Sequence, residues 1–262
     1  MPSSLTIKME GDKEKQHGTY LASLLQGVLM ERMEPAYAAF LHESRIHPYS
    51  QYVECRDNEI LWHVNALTRE AEEYILGPLC EDSLKEVILQ NRDETLKILE
   101  RSVETCTYES MIEEYYLGEC SRYIPLHICT PMAFKQSGRY CIIPSPRLIF
   151  QSLMRRFDAC QEENTIFTEE LLKEFESLTE ISDYRLRSIR FSLEGVRIPS
   201  FIGELKIHVN GPQQMANVAW MLARFGEYSG IGIKTGMGMG AVRIEENIKG
   251  KRNPGKIQSG SE

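Results

Sequence analysis

The order of hydrophobic periods constrains this chain more than any other feature of it. Residues 4–9 (SLTIKM) alternate as a strand does, and residues 19–41 place Leu21, Leu24, Leu25, Val28 and Leu29 at helical spacing. Pro35 divides the second stretch into two helices, because a mid-helix proline removes a hydrogen bond and clashes with the preceding turn. Two β-rich runs follow, 49–56 (YSQYVECR) and 59–67 (EILWHVNAL), joined at Asp57-Asn58 as a hairpin. Thr68, with Ala71 and Glu72 behind it, opens a further helix in capping-box fashion, and Gly77-Pro78 predicts its end. Residues 84–108 read as two charged strands. The second half repeats this grammar. Strands are expected at 123–134 and 139–144, helices at 146–160 and 168–178, strands at 184–194 and 200–211, a helix at 212–227 and a strand at 241–246. Two such halves predict an α+β protein with tandem ferredoxin-like (RRM-like) domains, each an antiparallel sheet with helices on one face. The expected units are 1–120, 121–247 and a polar Gly/Lys-rich tail, 248–262, expected to be disordered.

A length of 262 residues suits two small domains. No apolar run reaches the roughly 18 residues of a membrane helix, so no membrane partner is expected. The first residues lack the apolar core of a signal peptide. The seven cysteines contain no CxxC pair, which suits reduced thiols in a cytoplasmic protein. His127 lies between Cys120 and Cys129 at the spacing of no zinc module, and neither a metal nor a cofactor is expected. The net charge of −8 argues against a nucleic-acid partner until its distribution is considered. Residues 69–120 hold fourteen Asp/Glu against five Lys/Arg, whereas residues 181–244 hold eight basic against four acidic. Segregated charge of this kind leaves a basic face available.

The strongest local signal is the segment 230–240, GIGIKTGMGMG, with glycine at Gly230, Gly232, Gly236, Gly238 and Gly240. Without Cβ atoms, such a backbone can approach a bulky anion closely. It is not a P-loop, because Ile233 rather than glycine precedes Lys234-Thr235. Nor is it a dinucleotide fingerprint, because a helix precedes it, a strand follows, and Thr235 stands at the third glycine position counted from Gly230. Spacing alone leaves a flexible surface connection and an RNA-backbone contact equally open.

A helix, a loop of the form GIGxKxxxGxG and a short final strand resemble the RAMP proteins of CRISPR systems. Thr130-Pro-Met-Ala-Phe134, followed by Tyr140-Cys-Ile-Ile-Pro-Ser-Pro146 and Leu148-Ile-Phe-Gln-Ser-Leu153, is similar to that group's TPxAF…PSPxxxFxSL segment. Pro199 to Gly211 resembles its FxGE strand, and Phe40-Leu-His-Glu43 resembles the place of its catalytic histidine. Together these resemble the repeat-cleaving endoribonuclease that is sixth in the Cas series, over nearly the whole chain.

The resemblance implies attack by the RNA's own 2′-hydroxyl on the adjacent phosphorus, giving 2′,3′-cyclic phosphate and 5′-hydroxyl ends without a metal. Histidine suits both proton transfers, since its ordinary pKa of about 6.5 lies near working pH. It places His42 in the catalytic role. It also exposes a departure: some relatives carry a tyrosine on the first helix, where this chain has Gln26-Gly-Val-Leu-Met30, and some carry a lysine near the position of His47. His47 is therefore the second catalytic candidate, with Tyr49 and Arg45 to steady phosphorane charge and Tyr37 as a further hydroxyl. RNA contacts are expected from Arg45, Lys234 and the five loop glycines, with Arg139, Arg155 and Arg156 as further partners. The partner implied is CRISPR repeat RNA, within or outside a multisubunit effector complex; whether the chain forms a homodimer stays open. The rival reading is a non-catalytic RAMP subunit that coats guide RNA. An RNA-binding module unrelated to CRISPR ranks below both, because the aromatic-rich RNP1-type strand it requires is not evident.

Overall fold

The computed structural model describes residues 1–56, 59–161, 165–193 and 195–245. Strand β1 (Ser3–Glu10) buries Leu5, Ile7 and Met9 completely and lets the intervening residues face outward, as a period of two requires. It lies at the centre of an antiparallel sheet in the order β2-β3-β1-β5-β4. The other strands of this sheet are β2 (Tyr49–Arg56), β3 (Glu59–Ala66), β4 (Glu86–Leu89) and β5 (Glu94–Thr105). Helices α1 (Leu21–Arg32) and α2 (Pro35–Glu43) pack on it through Leu21, Leu25, Leu29 and Leu41, each such burial worth about 1.5–3 kcal/mol. Pro35 takes the first turn of α2, where its missing N–H has no partner to lose.

The chain then differs from expectation at Gly77-Pro78, where the helix does not stop. The Thr68 hydroxyl accepts from the Ala71 N–H and opens α3 (Arg69–Ala71), a π-turn follows over Glu72–Leu76, and α4 (Gly77–Cys80) continues the run. Gly77 donates five residues back to the Glu72 carbonyl, and this wider ring puts Pro78 into a fresh first turn that tolerates it. The Asp57-Asn58 turn lies outside the described residues, although β2 and β3 pair up to Arg56 and Glu59 on either side of it.

After α5 (Tyr108–Met111) and a second π-turn over Ile112–Tyr116, the order repeats with β6 (Tyr123–Met132), β9 (Thr179–Leu193), β10 (Val196–Val209) and β11 (Val242–Ile244). The sheet order β9-β10-β6-β11 matches β2-β3-β1-β5 strand for strand, so both halves are ferredoxin-like. A hairpin of β7 (Phe134–Gln136) and β8 (Arg139–Cys141) stands apart, and the strand expected to reach residue 144 ends at Cys141. Ser145 and Thr168 cap α6 (Pro146–Ala159) and α7 (Glu169–Leu178), and α8 (Gln213–Ser229) completes the helical layer. No helix among the described residues is long and apolar enough to cross a membrane. The tail 248–262 lies outside the described residues.

Side chains stitch the two halves together. Ser50 on β2 donates to the Tyr228 carbonyl at the end of α8, and Arg243 on β11 donates to the Glu54 carboxylate on β2. The glycine-rich segment 230–240 leaves α8 and lies against β2 and α1, so it sits at this junction.

Candidate active site

His42 stands exposed in the last turn of α2, anchored by the buried Leu41 beside it. The helix ends at Ser44, whose N–H and hydroxyl both donate to the Phe40 carbonyl. A short turn then carries the exposed Arg45 and the half-buried His47 into β2. The His47 ring stacks on Tyr49 with centroids 5.6 Å apart and planes 7° apart. Burial holds the His47 imidazole below its ordinary pKa, and the charges of Arg156, His42 and Lys234 depress it further, against a raising contribution from the Leu41 backbone. Charges carried by α2, α6 and the glycine segment thus all bear on one imidazole.

Arg156 is buried on α6, and its Nη1 donates to the His47 carbonyl at 3.4 Å. Among the described residues no carboxylate pairs with it. A guanidinium out of water without a counter-ion is costly, and an incoming anion would compensate it. Lys234 is the exposed residue of the glycine segment, in a left-handed conformation with φ +55°. Among the described residues neither cation has a carboxylate partner, and the charge of each bears on His47.

The structure treats the other expected residues differently. Arg155, adjacent to Arg156, points elsewhere: it is exposed and lies over the Phe167 ring at 5.0 Å. Arg139 is exposed on the β7–β8 hairpin. Tyr49 is fully buried, its hydroxyl pushed up to about 12 by burial with partial relief from Gln26, though no partner meets hydrogen-bond geometry. It supports His47 from below rather than facing solvent. Tyr37 is buried against Tyr74 at 4.8 Å, and burial raises its hydroxyl above the ordinary value.

The glycines of 230–240 make their close approach to protein. A Cβ at Gly236 would come within 3.0 Å of the Tyr49 ring, and one at Gly238 would overlap the Ala22 Cβ. Several of the segment's amides are also used internally: Ile231 donates to the Gly240 carbonyl, Gly232 to the Ser152 hydroxyl and Gly240 to the Pro131 carbonyl. At these positions the segment packs as a wedge that seats Lys234 between the halves. Gly238→Ala is expected to cost about 2–4 kcal/mol, because φ is +97° and the methyl meets Ala22. This would be read as a lower urea midpoint at unchanged m-value. Ala22→Gly in the same chain should restore part of the loss, since it removes the overlapping atom but not the backbone strain. An unaltered midpoint in Gly238→Ala would contradict this seating.

Sequence reasoning missed Gln51 and Ser152, polar residues whose roles come from long-range partners. Gln51 donates to the Ala22 and Gly236 carbonyls at 2.7 and 3.0 Å. Its parity with Tyr49 and Val53 puts it on the inward face of β2, but nothing in the run YSQYVECR names its distant partners.

The molecule is thus a tandem ferredoxin-like protein with two imidazoles and two carboxylate-free cations at the junction of its halves. The family model for the CRISPR-associated endoribonuclease Cas6 matches residues 126–242. The CRISPR-associated endoribonuclease Cas6 of Mycobacterium tuberculosis (strain CDC 1551 / Oshkosh) is 34% identical over 247 residues, covering 92% of this chain and 77% of the relative. The Streptococcus thermophilus enzyme of the same name is 33% identical over 226 residues, covering 86% and 92%. A solved Cas6 product complex superposes with a TM-score of 0.76 at 22% identity, covering 94% of this chain and 99% of that one, which shows the shared fold. The chain belongs to the Cas6 family of CRISPR-associated endoribonucleases, and it is an RNA endonuclease.

Proposed function

We propose that this protein cuts precursor CRISPR RNA within its repeats, without a metal, through the RNA's own 2′-hydroxyl. The observation that carries the reading is the half-buried His47 a short turn beyond the exposed His42, with the buried Arg156 guanidinium donating to the His47 carbonyl. His47, held neutral at working pH, takes the 2′-hydroxyl proton as the oxygen bonds to phosphorus. The bond from phosphorus to the 5′-oxygen breaks, and His42 as general acid gives that oxygen a proton. Each positioned proton transfer contributes about 10²–10⁴-fold. Arg156 and Lys234 hold the phosphate and offset the charge that grows on it. Arg45 and Arg139 are exposed where they can take flanking phosphates, and the glycine segment acts by placing Lys234. The proposed unit division at about residue 120 is supported by the start of β6, the first strand of the second sheet, at Tyr123. A RAMP subunit that only coats guide RNA is not favoured, because the relatives matching most of the chain are endoribonucleases and coating needs no imidazole pair.

The direct test is incubation with repeat RNA in excess EDTA. Cleavage should continue at an undiminished rate, and the upstream product should resist ligation until its cyclic phosphate is opened and removed. A metal-dependent nuclease would instead lose its activated water and its charge neutralisation, so loss of cleavage in EDTA that added metal restores would overturn the proposal.

Lys234→Ala should reduce the salt slope of RNA binding by about one phosphate contact. It should also move the acid limb of kcat/KM to higher pH. The sign follows from the role: His47 must be neutral to act, Lys234 opposes its protonation, and removing that charge raises the pKa through which activity is lost on acidification. An unchanged slope and an unmoved acid limb would remove Lys234 from the site.

A further inference from the structure

We propose that Gln51 is a positioning residue that fixes Lys234 beside the histidines by clamping the glycine segment to helix α1 and strand β3. This rests on the catalytic reading above and adds a residue to it. Gln51 is buried on β2, next but one to Tyr49, with 1% of its surface exposed. Its Nε2 donates to the Ala22 carbonyl in the first turn of α1 at 2.7 Å and to the Gly236 carbonyl at 3.0 Å. Its Oε1 accepts from the indole N–H of the fully buried Trp62 at 2.6 Å. That indole can only donate and both carbonyls can only accept, so one orientation of the amide satisfies all three and the flipped one satisfies none. Four elements are joined by one side chain.

The clamp acts where the segment turns. Gly236 lies within a 3₁₀ turn, Thr235–Met237, that begins directly after Lys234. The Met237 and Met239 amides both close back onto the Lys234 carbonyl, at 2.9 and 3.3 Å. Holding the Gly236 carbonyl therefore holds the turn from which Lys234 projects. Ser152 grips the same segment at the Gly232 N–H, but from α6 and on the other side of Lys234. Gln51 is thus what ties this turn to the half of the molecule that carries His42 and His47. A strand residue of this length would ordinarily face solvent. Here the segment covers it, and its amide supplies the donors that two buried carbonyls would otherwise lack.

The test uses Gln51→Met, which keeps the length and removes both donors, with Gln51→Asn as a second variant that withdraws the amide by one methylene. The first readout needs no substrate. Hydrogen exchange at the Met237 and Met239 amides should quicken by about tenfold or more in both variants, while amides in the middle of α8 keep their protection. The second readout is single-turnover cleavage of repeat RNA together with the salt slope of binding. Gln51→Met should slow cleavage by about tenfold and lower the slope as Lys234→Ala does, and the double variant should be no worse than Lys234→Ala alone. Unchanged exchange at the two amides overturns the clamp. Quickened exchange with wild-type cleavage and slope, or effects that multiply with those of Lys234→Ala, overturns the positioning role. If the wild-type protein itself cleaves no repeat RNA, the catalytic reading fails, while exchange still reports on the clamp.

Discussion

His42→Ala is expected to slow single-turnover cleavage of repeat RNA by at least about 10²-fold while leaving RNA affinity almost unchanged. His42 is exposed in the last turn of α2, and among the described residues no hydrogen bond or ion pair from its side chain holds the fold together. Truncation should therefore leave stability within about 0.5 kcal/mol of the parent, so a lost rate cannot be ascribed to unfolding. The binding cations, Arg156 and Lys234, belong to other elements and remain in place. His47→Ala should also be slow, but with some loss of stability, because its half-buried ring stacks on Tyr49. Residues acting as a unit are grossly non-additive, so the double variant should be little slower than the worse single. Wild-type cleavage in His42→Ala would remove it from the reaction.

The fold was legible where local chemistry decides it. Alternation in β1, Pro35 opening α2, and the cap at Thr68 are written within a few residues of where they act. Where long-range packing decides, the sequence misled or was silent. Gly77-Pro78 reads as a helix stop, yet a π-turn widens the preceding ring and the helix continues. The five glycines read as room for an anion, yet Gly236 and Gly238 make room for Tyr49 and Ala22, nearly 190 and over 210 residues away along the chain. Arg155 and Arg156 are neighbours with equal claims in sequence. Their separation follows from the side of α6 that faces the junction, which no local pattern reveals. The proposed role of His42 rests on the family resemblance, whereas the influence of the Lys234 charge on His47 emerges only from the fold.

In the proposed reaction the nucleophile belongs to the RNA. This origin of the nucleophile is tested most directly with a repeat RNA carrying one 2′-deoxyribose immediately before the cut. Protein residues and phosphates are then unaltered, and only the attacking oxygen is missing. The modified RNA should bind with nearly the affinity of the all-ribose strand, compete with it, and remain uncut over times long enough for complete cleavage of the parent. Rescue by added divalent metal is not expected, since no water is activated in this mechanism. Intact 2′-deoxy RNA that still competes is the predicted result; efficient cleavage of it, at the same bond, would contradict the mechanism and the roles given to His42 and His47.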